Sequence, residues 1–166
     1  MPEILPATPM PDSGEEPSPA DYRALAAFRY QIRRFVHFSE AAARAEGLEP
    51  QQHQLLLAVR AWDGNAGPTI GNLAEHLLIQ HHSAVGLVDR LAARRLVERS
   101  RGEEDRRQVR IRLTAAGAGT LRRLSTEHRA ELRKTGPLLV AALGTLLEEL
   151  ATTERQNVSE TQEHRR

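Results

Sequence analysis

A mainly α-helical fold with one short β-hairpin is what this sequence predicts, and three observations predict it. Aromatic residues make up only 4% of the 166-residue chain, which leaves the core to Leu, Ala and Val and favours helices over sheets. From Tyr22 onward, apolar residues recur at three- and four-residue steps over most of the chain. One stretch breaks that period: around "LVERS" and "VRIRL" apolar and charged residues alternate at period two, on either side of "RGEEDRRQ".

The elements follow in order. "MPEILPATPMPDSGEEPSP" holds six of the nine prolines and four acids with no base, so residues 1–19 are expected to be a disordered acidic tail. Leu25, Phe28, Ile32, Phe35, Val36 and Ala42 then mark a helix of about 25 residues that stops at Gly47. A second helix restarts at Pro50, a favourable first position, with Leu55, Leu56, Leu57 and Val59 as its buried run. After the loop "DGNAGP", Thr69 caps "IGNLAEHLL", which buries Ile70, Leu73, Ala74 and Leu77. "IQHHSAVGLVDRLAAR" supplies another short helix with Val85, Val88 and Leu91 inside. Two short helices joined by a tight connection make a helix-turn-helix.

In the hairpin, Val97, Val109, Ile111 and Leu113 are expected to face the helices, and Arg99, Arg110 and Arg112 to point outward. Thr114 caps the next helix, and Gly136-Pro137 predicts a break before a last helix. There Leu139, Leu143, Leu146 and Leu150 step along one seam, beside Leu138 and Leu147. The terminal helices carry more apolar stripe than a small helix-turn-helix with its hairpin can cover. A two-fold dimer that interleaves them would bury both stripes. The domain reading is one domain over 20–157, with 48–114 as its winged helix and 20–47 and 115–157 as dimerisation helices. Residues 158–166 are expected to form a flexible tail.

Charge placement says more than the net charge of +1. All but Lys134 of the 23 basic residues are arginine, and between Arg90 and Arg112 nine arginines stand against four acids. That local excess is the footprint of an anionic partner, most often nucleic acid. With no cysteine, disulfides, thiol sensing and Cys-ligated zinc are excluded. No stretch approaches 18 apolar residues and no signal-peptide pattern opens the chain, so a cytoplasmic location is expected. His76, His81 and His82 lie close in sequence, but adjacent histidines on a helix point about 100° apart, so no metal site and no cofactor is expected. No nucleophile elbow, phosphate-binding glycine loop or dinucleotide fingerprint is present, which argues against an enzyme.

Taken together, "TIGNLAEHL", "SAVGLVDRLAARRLVER" and "DRRQVRIRLTAAG", in this order after two helices, resemble the MarR family of bacterial transcription regulators. The resemblance covers about Tyr22 to Leu150 and rests on Leu73-Ala74, Val88-Asp89-Arg90-Leu91, Asp105-x-Arg107 and Leu113-Thr114-x-x-Gly117. Arg95 departs from it, standing where relatives usually carry glycine. What the resemblance implies is a homodimeric winged helix-turn-helix repressor or activator on a palindromic operator, often released by a small molecule.

Residues at the start of a recognition helix project deepest into the major groove, so Gln80, His81, His82, Ser83, Ala84 and Gly86 are the candidate base contacts. Arg107 resembles the family's minor-groove arginine, aimed by Asp105, and Arg90, Arg101 and Arg106 are candidate phosphate contacts. A small aromatic or phenolic effector is expected in a crevice lined by Arg34, Phe35, His37, Phe38, His53 and Trp62. The competing reading is a dimeric protein-interaction scaffold with a winged helix but no sequence-specific DNA binding.

Overall fold

The computed structural model describes residues 17–63, 67–101 and 109–163, and their contacts form two units. The larger runs from Gln31 to Leu138; the other comprises the chain through Tyr30 and from Leu139. The elements are α1 (Pro19–Ala45), α2 (Pro50–Ala61), α3 (Ile70–His76), α4 (His81–Ala93), β1 (Val97–Arg101), β2 (Val109–Leu113) and α5 (Ala115–Glu163).

In the larger unit, α1, α3 and α4 end in one repeated way. After α1, Leu48 N–H donates to the Ala43 carbonyl (2.8 Å) and Gly47 N–H to Arg44 (2.9 Å), with Gly47 at φ +71°. The same pair of bonds follows α3, from Ile79 to Ala74 and from Leu78 to Glu75, and α4, from Leu96 to Leu91 and from Arg95 to Ala92. Each pair satisfies carbonyls that the helix end leaves open, and each requires one left-handed residue. Glycine fills that position only after α1. Leu78 (φ +54°) and Arg95 (φ +57°) fill it elsewhere, against a steric cost of about 1 kcal/mol or more each relative to glycine.

Helix starts are equally local. Thr69 Oγ1 accepts from Asn72 N–H (3.2 Å) while Asn72 Oδ1 accepts from Thr69 N–H (3.0 Å), a reciprocal cap for α3. Thr114 Oγ1 accepts from Gly117 N–H (3.1 Å) at the start of α5 and donates to the Arg95 carbonyl (2.6 Å), so one hydroxyl caps a helix and ties it to the end of α4. Gln52, on α2, accepts from Glu49 N–H (3.0 Å) and from Arg94 Nη1 (3.3 Å); Arg94 also donates to Gly47 (2.7 Å).

The core of this unit gathers Leu48, Leu55, Leu56, Leu73, Val88, Leu91, Ile111 and Leu124, each almost fully buried. Leu57 is 42% exposed. At 100° per residue three consecutive leucines cannot share one face, so the expected triple run buries two. The strands pair antiparallel, Val97 with Leu113, Arg99 with Ile111 and Arg101 with Val109. A further bridge joins Thr69 to Arg110, and Ile111 N–H donates to the Pro68 carbonyl (2.9 Å), so the segment before α3 extends the ribbon.

In the other unit, Ser18 and Asp21 cap α1 reciprocally: Ser18 N–H donates to Asp21 Oδ2 (2.8 Å) and Asp21 N–H to Ser18 Oγ (3.2 Å). Ala24 is buried, whereas Tyr22, Leu25, Val140, Leu143, Leu147 and Leu150 are 39–71% exposed. The break expected at Gly136-Pro137 is absent, and α5 is continuous as far as Glu163. Proline removes one backbone bond and crowds the carbonyl four residues back. The long runs of Leu, Ala, Glu and Arg on both sides carry the helix through it.

Candidate nucleic-acid interface

Gln80 is the N-cap of α4, with extended backbone, and its side chain makes no capping bond. Its amide is thus not spent on the helix end. Gln80, His81 and His82 are exposed, and Ser83 and Gly86 half-buried. Ala84 is 0% exposed, which corrects its assignment as a base contact: its methyl faces the protein interior. Arg90 is exposed, and its Nη1 lies 3.4 Å from where a Cβ on Gly86 would stand. His82, Gly86 and Arg90 therefore form one i, i+4 stripe on α4.

Val97 and Ile111 of the hairpin share the core with Val88 and Leu91 of this helix, and an ion pair is added at the surface. Arg99 on β1 donates to Asp89 on α4. Its cross-strand partner is Ile111, which is 0% exposed, so Arg99 shares the ribbon's inner face, and the expectation that it points outward is corrected. A period of two already places residues 97 and 99 on one face. Arg110 lies on the outer face with Arg112, as expected, but is half-buried there and donates to the Gly67 carbonyl (3.2 Å). Arg112, opposite Glu98, is exposed as expected. The side chain of Arg101, and Asp105, Arg106 and Arg107, lie outside the described residues.

Of the residues expected to line an effector crevice, Phe35, Phe38 and His53 come together and Arg34, His37 and Trp62 do not join them. Phe35 and Phe38 pack edge-on against His128 of α5, with centroids 6.0 and 5.6 Å away, and His53 lies 4.9 Å from the same ring. His128 was missed because a lone polar residue on an amphipathic helix carries no sequence signal. Its Nδ1 lies 2.6 Å from the Leu124 carbonyl, which can only accept, so Nδ1–H donates and Nε2 accepts from the Ser39 hydroxyl (2.8 Å) in the neutral ring. His53 is 4% exposed, and burial, reinforced by His128, holds it below the ordinary histidine range. Beside this cluster a groove of about 260 Å³ is lined by Phe35, Val36, Ser39, Pro50 and Gln54. Arg34 and His37 are exposed on α1, and Trp62 lines a different groove, with Val59, Arg60 and Arg112. Among the described residues no three His, Cys, Asp or Glu side chains are placed to hold a metal, and no helix is long and apolar enough to cross a membrane.

A two-helix reader unit with a paired ribbon braced against its second helix defines a winged helix-turn-helix protein. Residues 46–108 match the MarR family, and the fold is that of MarR family transcription regulators. No curated protein matches the sequence. Among solved structures, AbsC, a MarR family transcriptional regulator from Streptomyces coelicolor, is similar with TM-score 0.65 and 21% identity, over 86% of this chain and 99% of that one. A point mutant of MepR from Staphylococcus aureus bound to an oligodeoxyribonucleotide is similar with TM-score 0.57 and 18% identity, over 87% and 98%. BpsR of Bordetella bronchiseptica, from a study of how 6-hydroxynicotinic acid regulates its DNA binding, has TM-score 0.56 and 21% identity, over 78% and 98%.

Proposed function

We propose that this chain is a DNA-binding transcription regulator that acts as a homodimer on a palindromic operator. The observation that carries the reading is the leading end of α4, where Gln80, His81 and His82 stand exposed, Gln80 with no side-chain capping bond, and His82 shares a stripe of the helix with an exposed Arg90. Gln can pair bidentately with adenine, and histidine can donate or accept at base edges. Arg90 supplies a phosphate contact beside them, with Ser83 and Gly86 completing the approach, and Arg101, Arg106 and Arg107 extend the contact into the wing and minor groove. A neighbour of the same fold, MepR, has been captured on an oligodeoxyribonucleotide.

The apolar residues exposed at the chain ends call for a second copy, which would hold two readers about 34 Å apart, one turn of duplex. A small aromatic acid is the effector class proposed, in the groove beside Phe35; BpsR, regulated by 6-hydroxynicotinic acid, shares the fold.

Titration of the protein against random-sequence duplex over a salt series tests the first part. Log affinity should fall steeply and linearly with log salt as counterions are released. A flat response would instead favour a protein-interaction scaffold. Against a selected operator, Gln80→Ala and His81→Ala should each relax discrimination at one or two base positions by about 1–3 kcal/mol. Loss that is uniform over all sequences would reduce these residues to phosphate contacts.

A further inference from the structure

Leu78 stands in the turn between α3 and α4 and combines two costs. Its backbone is left-handed (φ +54°), a region that side chains branching beyond Cβ avoid, and its side chain is 92% exposed, the highest value among large apolar residues described. Neither cost is recovered inside the chain. The helix end is closed by two backbone bonds, from Ile79 to Ala74 and from Leu78 to Glu75, which glycine or asparagine would serve better. Folding therefore explains the conformation at this position but not the leucine. A strained residue whose side chain packs against nothing of its own is a reason to look for an external contact.

Its place in the turn says which. Leu78 lies two residues before Gln80, and the exposed side chains that follow it are Gln80, His81 and His82. We infer that Leu78 is an apolar duplex contact: when the start of α4 enters the major groove, its isobutyl group packs on the deoxyribose faces of the groove wall. This rests on the DNA-binding reading above. Sugar C–H faces are the apolar part of a duplex edge, and covering them with leucine removes water from both surfaces. Such a contact neutralises no phosphate and releases no counterion, so it carries a signature that an arginine contact lacks.

The test uses the full chain, with Leu78→Gly and Leu78→Met, a labelled random-sequence duplex of about 30 base pairs over a salt series, and thermal unfolding of each variant. Leu78→Gly should unfold at the wild-type temperature or above, because the strain is relieved. It should bind roughly five- to tenfold more weakly at every salt concentration. The slope of log affinity against log salt should stay at the wild-type value, and Leu78→Met should regain most of the affinity. Wild-type affinity in Leu78→Gly, while the wild type shows its steep salt dependence, would overturn this inference and leave the DNA reading standing. A lowered unfolding temperature would assign Leu78 to folding, a changed salt slope to electrostatics, and a changed oligomeric state to a contact between copies; each overturns the inference. A wild type with no duplex affinity at any salt would bring down both.

Discussion

A Cβ on Gly117 would stand 1.9 Å from the Leu96 carbonyl oxygen, so the first turn of α5 passes the end of α4 at a distance that only glycine allows. Gly117→Ala should destabilise the protein by about 1–3 kcal/mol, read from urea unfolding at an unchanged slope. Tolerance of alanine there would mean that α5 can shift away from the hairpin. His53 sets a pH dependence whose sign follows from its depressed pKa. The unfolded chain takes up this proton first, so the contribution of His53 to stability is complete above about pH 6.5. It is lost as pH falls below that value toward the lower, folded pKa. The groups facing His53 are His128 from α5 and, through that ring, Ser39 from α1. In His53→Gln the unfolding midpoint should decline less between pH 7 and pH 5 than in the wild type; parallel declines would place the titration elsewhere. The histidine pair could not be read from the sequence, because residues 53 and 128 lie far apart in the chain and meet only in the folded structure.

The elements themselves were largely legible. Thr69 and Thr114 each stand before an apolar-periodic run, and both act as caps because a hydroxyl reaches a backbone N–H three residues on without help from the rest of the fold. Thr69→Ala should cost about 1 kcal/mol, measurable as a shift in denaturation midpoint; a change near zero would show that Asn72 alone holds the start of α3. Local rules failed where elements lean on something longer than themselves. Pro137 was expected to end a helix, and α5 runs through it because the helix is favoured on both sides. Arg99 was placed outward by its charge, yet strand geometry puts it beside Ile111 and Asp89 receives it at the ribbon's edge. Ala84 was assigned to the reading surface by its position in the chain, and helix geometry turns it inward.

For the molecule as a whole, the apolar residues at the chain ends carry the prediction. Val140, Leu143, Leu147 and Leu150 recur at three- and four-residue steps on α5, and all are exposed in one copy. Covering them in a second copy is the proposed basis of the dimer. Leu143→Glu with Leu147→Glu should shift the protein toward monomer in sedimentation velocity and weaken operator binding, while the helical signal of the larger unit persists. A wild type that is monomeric at micromolar concentration would remove the two-reader arrangement.

By itself the sequence determined the kinds and order of the elements, the caps that begin the helices, and the concentration of arginine around the hairpin. Those features depend on neighbours within a few residues, where periodicity and side-chain reach decide the outcome. Only the tertiary structure decided which arginines remain available. Arg99 is taken up by Asp89 and Arg110 by Gly67, while Arg90 stays on the surface of α4. It also decided that Leu78 and Arg95 take up left-handed backbone, and that His53 meets His128. A guanidinium or an imidazole acquires its role from whatever packing brings within hydrogen-bond reach, and residues distant in sequence come within that reach only when the chain has folded.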